Sequence, residues 1–324
     1  MKVSDLLTQT LENGKIYTIT IYNNHYSGGL MARLISDRFR QWENECEERF
    51  NRLKAAEEEI NRYFIGQYGL GDELDPYVAD KDITIRRADV QREIRSLISY
   101  AVGCIFGRYS LDCDGLCYAG GEWEPQKYTT IIPVSDNVVP IGRQLFGCDL
   151  TSLIVDFVEK VYGTETLSEN LRFIADALGG EGSPEEVIEK YLMNGFFHDH
   201  CRVYHKRPIY WMFDSGRKCH LRALVYMHRF TPRDLEILRD RWLKIYTDSL
   251  DSEAEELREM VMIVPSSDRP RIKRRLKRIA EQLGELREFG EKLSAHALES
   301  GIDTDDGVKL NFGKYSDVLE KIKP

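Results

Sequence analysis

The sequence predicts an α+β fold in which a mixed central region is flanked by long helices and followed by a C-terminal antiparallel helical hairpin. Three observations carry this. From about Ser36, the residues Phe39, Trp42, Cys46, Phe50, Leu53, Ile60 and Phe64 recur at steps of three, four or seven amid dense Glu and Arg, the apolar stripe of a long amphipathic helix. Between about residues 104 and 232, short apolar runs such as "YTTIIPV" and "ALVYMHRF" alternate with glycine and proline punctuation and with helical stretches, which is the pattern of mixed structure. Towards the end, Ile272, Leu276, Ile279, Leu283, Leu286, Phe289 and Leu293 step by three or four, the seam of a helix packed on a partner.

Taken in order, "KIYTITIY" is rich in β-branched and tyrosine residues and is followed by turn-prone "NNHYSGG", so a strand is expected over 15–22. The long helix ends near Gly66 to Gly71, and the linker "GDELDPYVADKDITI" leads to a second helix on "RADVQREIRSLISYAVGCIFGRY". In the centre, "LTSLIVDFVEKVY" and the proline-started "SPEEVIEKYLMNGFF" read as helices. "IYWMF" alternates Ile209, Trp211 and Phe213 on one face with Tyr210 and Met212 on the other, turns at "DSGRK", and pairs with "LRALVYMHRF" as a hairpin. Its apolar face is expected to be core, and its rim carries Arg207, Arg217, Lys218 and Arg229. Thr231 can cap and Pro232 can start the next helix. "MIVPSSDRPR" is the turn between an acidic arm, "DSEAEELRE", and a basic one, "RIKRRLKR". Three domains are expected: 1–83 with a strand and long helix, 84–232 as the α+β domain, and 233–324 as helical hairpin and tail.

With 324 residues, 42% hydrophobic and 31% charged, the chain can bury a sizeable core. A net charge of -9 excludes a uniformly positive coat but not local basic patches. Seven scattered cysteines without framework spacing, no apolar stretch of membrane-spanning length and no apolar signal segment at the N-terminus give the expectation of a cytoplasmic protein with no membrane association.

Several catalytic patterns fail. No glycine-rich loop is followed by Lys and Ser or Thr, and no G-x-G-x-x-G lies between a strand and a helix. The cluster "HDHCRVYH" gathers His198, His200, Cys201 and His205, but the second pair of a common zinc site is poorly matched by Cys113 with Cys117, so no metal site is assigned. "NNHY" at Asn23 to Tyr26 lacks the two prolines that would fix a backbone for gripping the amine of a flipped base, and no catalytic residue is assigned. The basic run "RIKRRLKR" can pair with acids of the neighbouring arm or track phosphates.

The blocks "FIGQYGLGDEL", "DKDITIRRADVQREI", "SYAVGCIFGRYSLD" with "YAGGEW", "RPIYWMFDSG" with "ALVYMHRF", and the final "DTDDGVKLNFGKYSDVL" resemble, in this order from about Trp42 onward, the C-terminal half of the PglX family. These are adenine-specific DNA methyltransferases of bacteriophage exclusion (BREX) systems. The resemblance implies methyl transfer from S-adenosylmethionine to the N6 amine of adenine in a short site, as a mark of self DNA during phage defence. The family's cofactor glycine motif and Asn-Pro-Pro-Tyr motif are absent from this chain, so no cofactor-binding residue is carried over.

What the resemblance implies is a target-recognition and scaffold portion, with double-stranded DNA and a methyltransferase catalytic half or other BREX proteins as partners. A recognition module needs Arg and Lys on a rigid scaffold, and charge with loop position picks out Arg108, Lys206, Arg207, Arg217, Lys218 and Arg229 as the DNA-binding set. The acidic background weakens binding by this chain alone. The alternatives are a protein-interaction scaffold that works through its helical arms, and a metal-dependent nuclease using the histidine cluster.

Overall fold

The computed structural model describes residues 8–11, 15–18, 34–142, 148–219, 221–298, 302 and 308–322. The chain divides into two compact units, Met1–Ile98 with Val161–Gly179, and Ser99–Lys160 with Gly180–Pro324.

The first unit opens with an antiparallel pair, β1 (Thr8–Leu11) and β2 (Lys15–Thr18), in the register Thr8 to Thr18. The strand expected over 15–22 is thus described as far as Thr18, and the "NNHY" element lies outside the described residues. Helix α1 (Ile35–Tyr68) follows the apolar stripe and stops at Gly69, whose φ of 66° gives the left-handed cap that a side chain would disfavour. The stripe is buried at Ile35, Trp42, Cys46 and Phe50 only, whereas Ile60 and Phe64 are 55% and 50% exposed. α1 meets α4 (Leu167–Leu178) through the Asn170 side-chain oxygen, which accepts from the Ile35 amide at 2.8 Å, and through Phe39 against Phe173 at 6.3 Å. The linker after α1 is strapped back onto it. Lys54 and Arg87 both donate to Asp80, at 2.7 and 3.0 Å, and Arg87 also reaches Glu47 while lying over the Phe50 ring. These two cations hold the Asp80 carboxyl below its ordinary pKa.

Helix α2 (Val90–Ile105) leads into the second unit, where the chain forms β3 (Val138–Ile141), α3 (Leu150–Tyr162), α5 (Pro184–Tyr191), α6 (Phe197–Val203), β4 (Tyr210–Asp214) and β5 (Arg222–Tyr226). The helices α7 (Pro232–Ile237), α8 (Lys244–Ile263), α9 (Arg269–Ala297) and α10 (Val308–Lys314) complete it. Ser183 caps α5 in a reciprocal box with Glu186, and Pro184 takes the first helical position. Two π-helical stretches, Leu192–Phe196 and Leu238–Leu243, join α5 to α6 and α7 to α8.

The sheet is antiparallel in the order β3-β5-β4, with Trp211 opposite Val225 and Val138 opposite the same residue on the other side. One face, Val138, Trp211, Phe213, Ala223 and Val225, packs with Leu235, Leu238, Trp242, Ile279, Leu286 and Phe289 from the helical layer. The single apolar face expected of the hairpin is corrected here. Tyr210, Met212, Leu224 and Tyr226 on the other side are equally buried, because Phe106, Phe196 and His200 cover it. Burial on both faces explains the near-continuous apolar run of β4. Beyond β4, Leu319 forms a bridge to Phe213, and the Glu320 amide donates to the Met212 carbonyl at 2.7 Å. α8 and α9 form the antiparallel hairpin, with Ile272, Ile279, Leu286, Phe289 and Leu293 of the expected seam buried.

Candidate nucleic-acid interface

The basic residues of α9 divide between two tasks. Arg275 reaches across the hairpin to Glu253 of α8, its Nε 2.6 Å from the carboxylate. Arg274, Lys277 and Arg278 point elsewhere and, with Arg217, Lys218 and Glu281, line an open groove of about 450 Å³. Spacings of three and four residues put all three α9 cations on one face of the helix. The two cations from the β4–β5 connection arrive there through specific bonds. Glu285 accepts from the Lys218 amide at 3.0 Å and the Cys219 amide at 2.8 Å, while Gln282 donates to the Lys218 carbonyl at 2.9 Å. Gly216 has a φ of 126°, and a Cβ there would stand 2.5 Å from the Glu285 carboxylate, so the turn can sit on α9 only with glycine at this position.

Among the described residues, none of the five cations Arg217, Lys218, Arg274, Lys277 and Arg278 has a carboxylate oxygen within 4.0 Å. Five like charges share this groove with one lining carboxylate, Glu281, and a bound polyanion relieves the repulsion among them. Glu285→Gln is expected to cost about 2 kcal/mol, since charge-assisted bonds to two amides are weakened; urea unfolding measures it, and a change below about 0.5 kcal/mol would show that the carboxylate does not hold the turn.

Of the residues chosen from the sequence, the structure brings Arg217 and Lys218 together in this groove and places the other four elsewhere. Arg229 lies over the Trp123 ring at 4.6 Å and donates to the carbonyls of Phe106, Val134 and Ser135 at 3.0 to 3.3 Å. Trp123 itself stacks on Tyr128 at 4.9 Å, so the guanidinium ties the irregular segment before β3 to the sheet. Arg108 is half-buried among tyrosines, with Nε 3.2 Å from the Tyr109 hydroxyl and Nη1 3.1 Å from that of Tyr226. Lys206 and Arg207 are exposed just after α6, where His205 and Lys206 adopt φ of 50° and 62° and the Lys206 amide closes on the Cys201 carbonyl at 2.7 Å. Sequence reasoning left Arg274, Lys277 and Arg278 out of the set. Their signal was the shared helical face within "RIKRRLKR".

The histidine cluster is otherwise occupied. His200 is fully buried and its Nε2 accepts from the amides of Ile209 and Tyr210 at 3.0 and 3.2 Å; burial pushes its pKa down to about 3. Among the described residues no group of three or more His, Cys, Asp or Glu side chains is arranged to hold a metal ion. All seven cysteines are free thiols, with the Sγ atoms of Cys113 and Cys117 2.9 Å apart. No described helix is long and apolar enough to cross a membrane.

The fold and groove define an α+β scaffold that presents an unneutralised cationic surface. No protein-family model matches the sequence. The chain is 40% identical over 312 residues to the adenine-specific methyltransferase PglX of Lacticaseibacillus casei (strain Zhang), covering 94% of this chain and 26% of that protein. It is 34% identical over 281 residues to the adenine-specific methyltransferase BrxX of Escherichia coli O9:H4 (strain HS), covering 82% of this chain and 23% of that relative. The chain is therefore homologous to a segment of the PglX and BrxX adenine-specific methyltransferases, and spans about a quarter of their length.

Proposed function

We propose that this chain is the DNA target-recognition and scaffold portion of a BREX-type adenine-specific (N6) DNA methyltransferase that marks self DNA in phage defence. The observation that carries the reading is the groove, in which Glu285 and Gln282 hold Arg217 and Lys218 beside the α9 cations with no ion pair to neutralise them. Double-stranded DNA is the partner this surface suits, because each Lys or Arg set against a phosphate releases a condensed counterion. Lys206 and Arg207, exposed on their own loop away from the groove, are proposed as a separate phosphate contact. Methyl transfer belongs to the remainder of the methyltransferase, with other BREX proteins as partners in a cytoplasmic setting. S-adenosylmethionine is the methyl donor of that remainder. Its cationic sulfonium does not fit a groove lined by five cations.

Fluorescence anisotropy of the chain with a duplex rich in adenine contexts, repeated as salt is raised, tests the reading. The logarithm of affinity should fall with slope of about 0.9 per phosphate neutralised. Alanine at Arg217, Lys218, Arg274, Lys277 and Arg278 together should make that slope shallower by about four. A slope unaltered by the five changes, or no binding at low salt, removes the groove as a DNA surface. The second reading, a protein-interaction scaffold with little DNA binding of its own, is favoured by the exposed row Ile60, Tyr63, Phe64 and Tyr68 on α1. Tight co-purification with a BREX protein, together with indifference to duplex, would support it.

A further inference from the structure

Arg108 poses a charge problem that the groove does not solve. Its guanidinium is held by two neutral hydroxyls, those of Tyr109 and Tyr226, and the latter donates its own hydrogen bond to the Tyr118 carbonyl at 2.7 Å. Among the described residues no carboxylate lies within 4.0 Å of it. A cation withdrawn from water without a counter-ion costs several kcal/mol, and hydrogen-bonded water alone does not neutralise it.

The neighbourhood is also rich in donors without acceptors. The Tyr210 hydroxyl is buried and has no hydrogen-bond partner, and neither has Nδ1 of His200 or of His228. His200 accepts two amide bonds at Nε2, so its Nδ1 carries the proton and is a donor. The rings form one connected layer, with His200 to Tyr210 at 5.0 Å, Tyr210 to Tyr226 at 5.3 Å and Tyr226 to His228 at 5.2 Å. The Tyr210 hydroxyl would stand 3.4 Å from a Cβ on Gly103, and the carbonyl of Gly103 receives the Arg108 amide at 2.8 Å. The layer reaches the surface through Arg108, Tyr109, Tyr204 and His228, all only half-buried.

We propose that Arg108, the Tyr210 hydroxyl and His200 Nδ1 form a receptor for one phosphate-type oxyanion, either free phosphate or a nucleic-acid phosphodiester. Three unused N–H groups of the guanidinium, the phenol and the imidazole N–H make about five donors, more than the roughly four acceptor positions of a carboxylate. A phosphate group offers more, and the guanidinium fork matches it. This site is separate from the basic groove and stands whether or not the groove binds DNA.

Calorimetric titration of inorganic phosphate, against sodium acetate at equal ionic strength, is the test, using the native chain, the groove variant with five alanines, Tyr210→Phe and Arg108→Lys. Tyr210→Phe keeps the ring and so preserves packing. Phosphate should bind the native and groove-variant chains alike, and about tenfold more weakly to Tyr210→Phe, the loss of one hydrogen bond to a charged group. Binding of a short duplex, but not of free phosphate, to the groove variant, weakened by Tyr210→Phe, would assign the site to a phosphodiester. Phosphate and duplex affinities both unchanged by Tyr210→Phe and Arg108→Lys, or phosphate binding no better than acetate with no duplex effect, would overturn the proposal.

Discussion

Arg222→Ala is expected to lower the free energy of unfolding by about 3 to 5 kcal/mol, the cost of stripping one partner from a buried ion pair. Arg222 stands opposite Asp214 at the turn end of the β4–β5 pairing. Its Nε and Nη2 donate to the Asp214 carboxylate at 2.9 and 2.6 Å, Nη2 also meets Glu320 at 2.9 Å, and Nη1 donates to the Met193 carbonyl. One guanidinium therefore joins the sheet, the C-terminal tail and the π-helical stretch between α5 and α6. Removing it leaves two carboxylates facing each other with the side chain of Asp214 only 10% exposed. Arg222→Lys keeps the charge and loses the fork, so it should fall between the two. Urea unfolding gives the comparison, and the loss should persist in 0.5 M salt because a buried pair is poorly screened (Debye length roughly 4 Å at that strength). A loss of less than about 1 kcal/mol would mean that the tail and π-helical stretch are held without it.

Acid should destabilise the second unit before its carboxylates titrate. His200 is pushed down to about 3 by burial, with the Arg108 cation acting in the same direction, whereas an unfolded histidine titrates near about 6.5. Below that value the unfolded chain binds a proton that the folded chain refuses, so stability falls as pH falls from about 6.5 towards 3. At about 1.4 kcal/mol per pH unit, His200 alone should remove about 3 kcal/mol between pH 7 and pH 4. His228, pushed down to about 4 by burial, adds to the same trend. Asp112, lowered to about 2 by bonds from Thr129 and Thr130, contributes only at still lower pH. The urea midpoint followed from pH 7 to pH 4.5 checks this, with His200→Gln as a control that keeps an acceptor for the two amides and flattens the curve. A native profile that is level over this range would mean that His200 becomes protonated in the folded state.

The local elements were legible because their causes are local. The stripe of α1, the caps at Ser183 and Thr231, the glycine turn at Gly216 and the seam of α9 each depend on residues within a few turns of one another. β3 was not assigned from the sequence, since "VVPI" is short and becomes a strand only by pairing with β5 more than eighty residues later. The π-helical stretches gave no local signal, as their composition is ordinary for helix.

For the candidate site the division is similar. The sequence by itself determined that Arg217 and Lys218 occupy a turn and that α9 carries a dense positive run. It did not determine that Glu285 would bring the two together, nor that Arg275 would leave the run to pair with Glu253. Those outcomes depend on partners 66 and 22 residues away, and no periodicity records such distances. Arg108 and Arg229 show the same limit from the other side. By charge and position they read as surface cations, but only the tertiary structure decided that Arg229 would satisfy three backbone carbonyls and that the half-buried Arg108 would bond the hydroxyl of Tyr226, 118 residues away. A side chain's charge is fixed by its identity, whereas its solvent exposure and its counter-ions are fixed by what the fold packs around it.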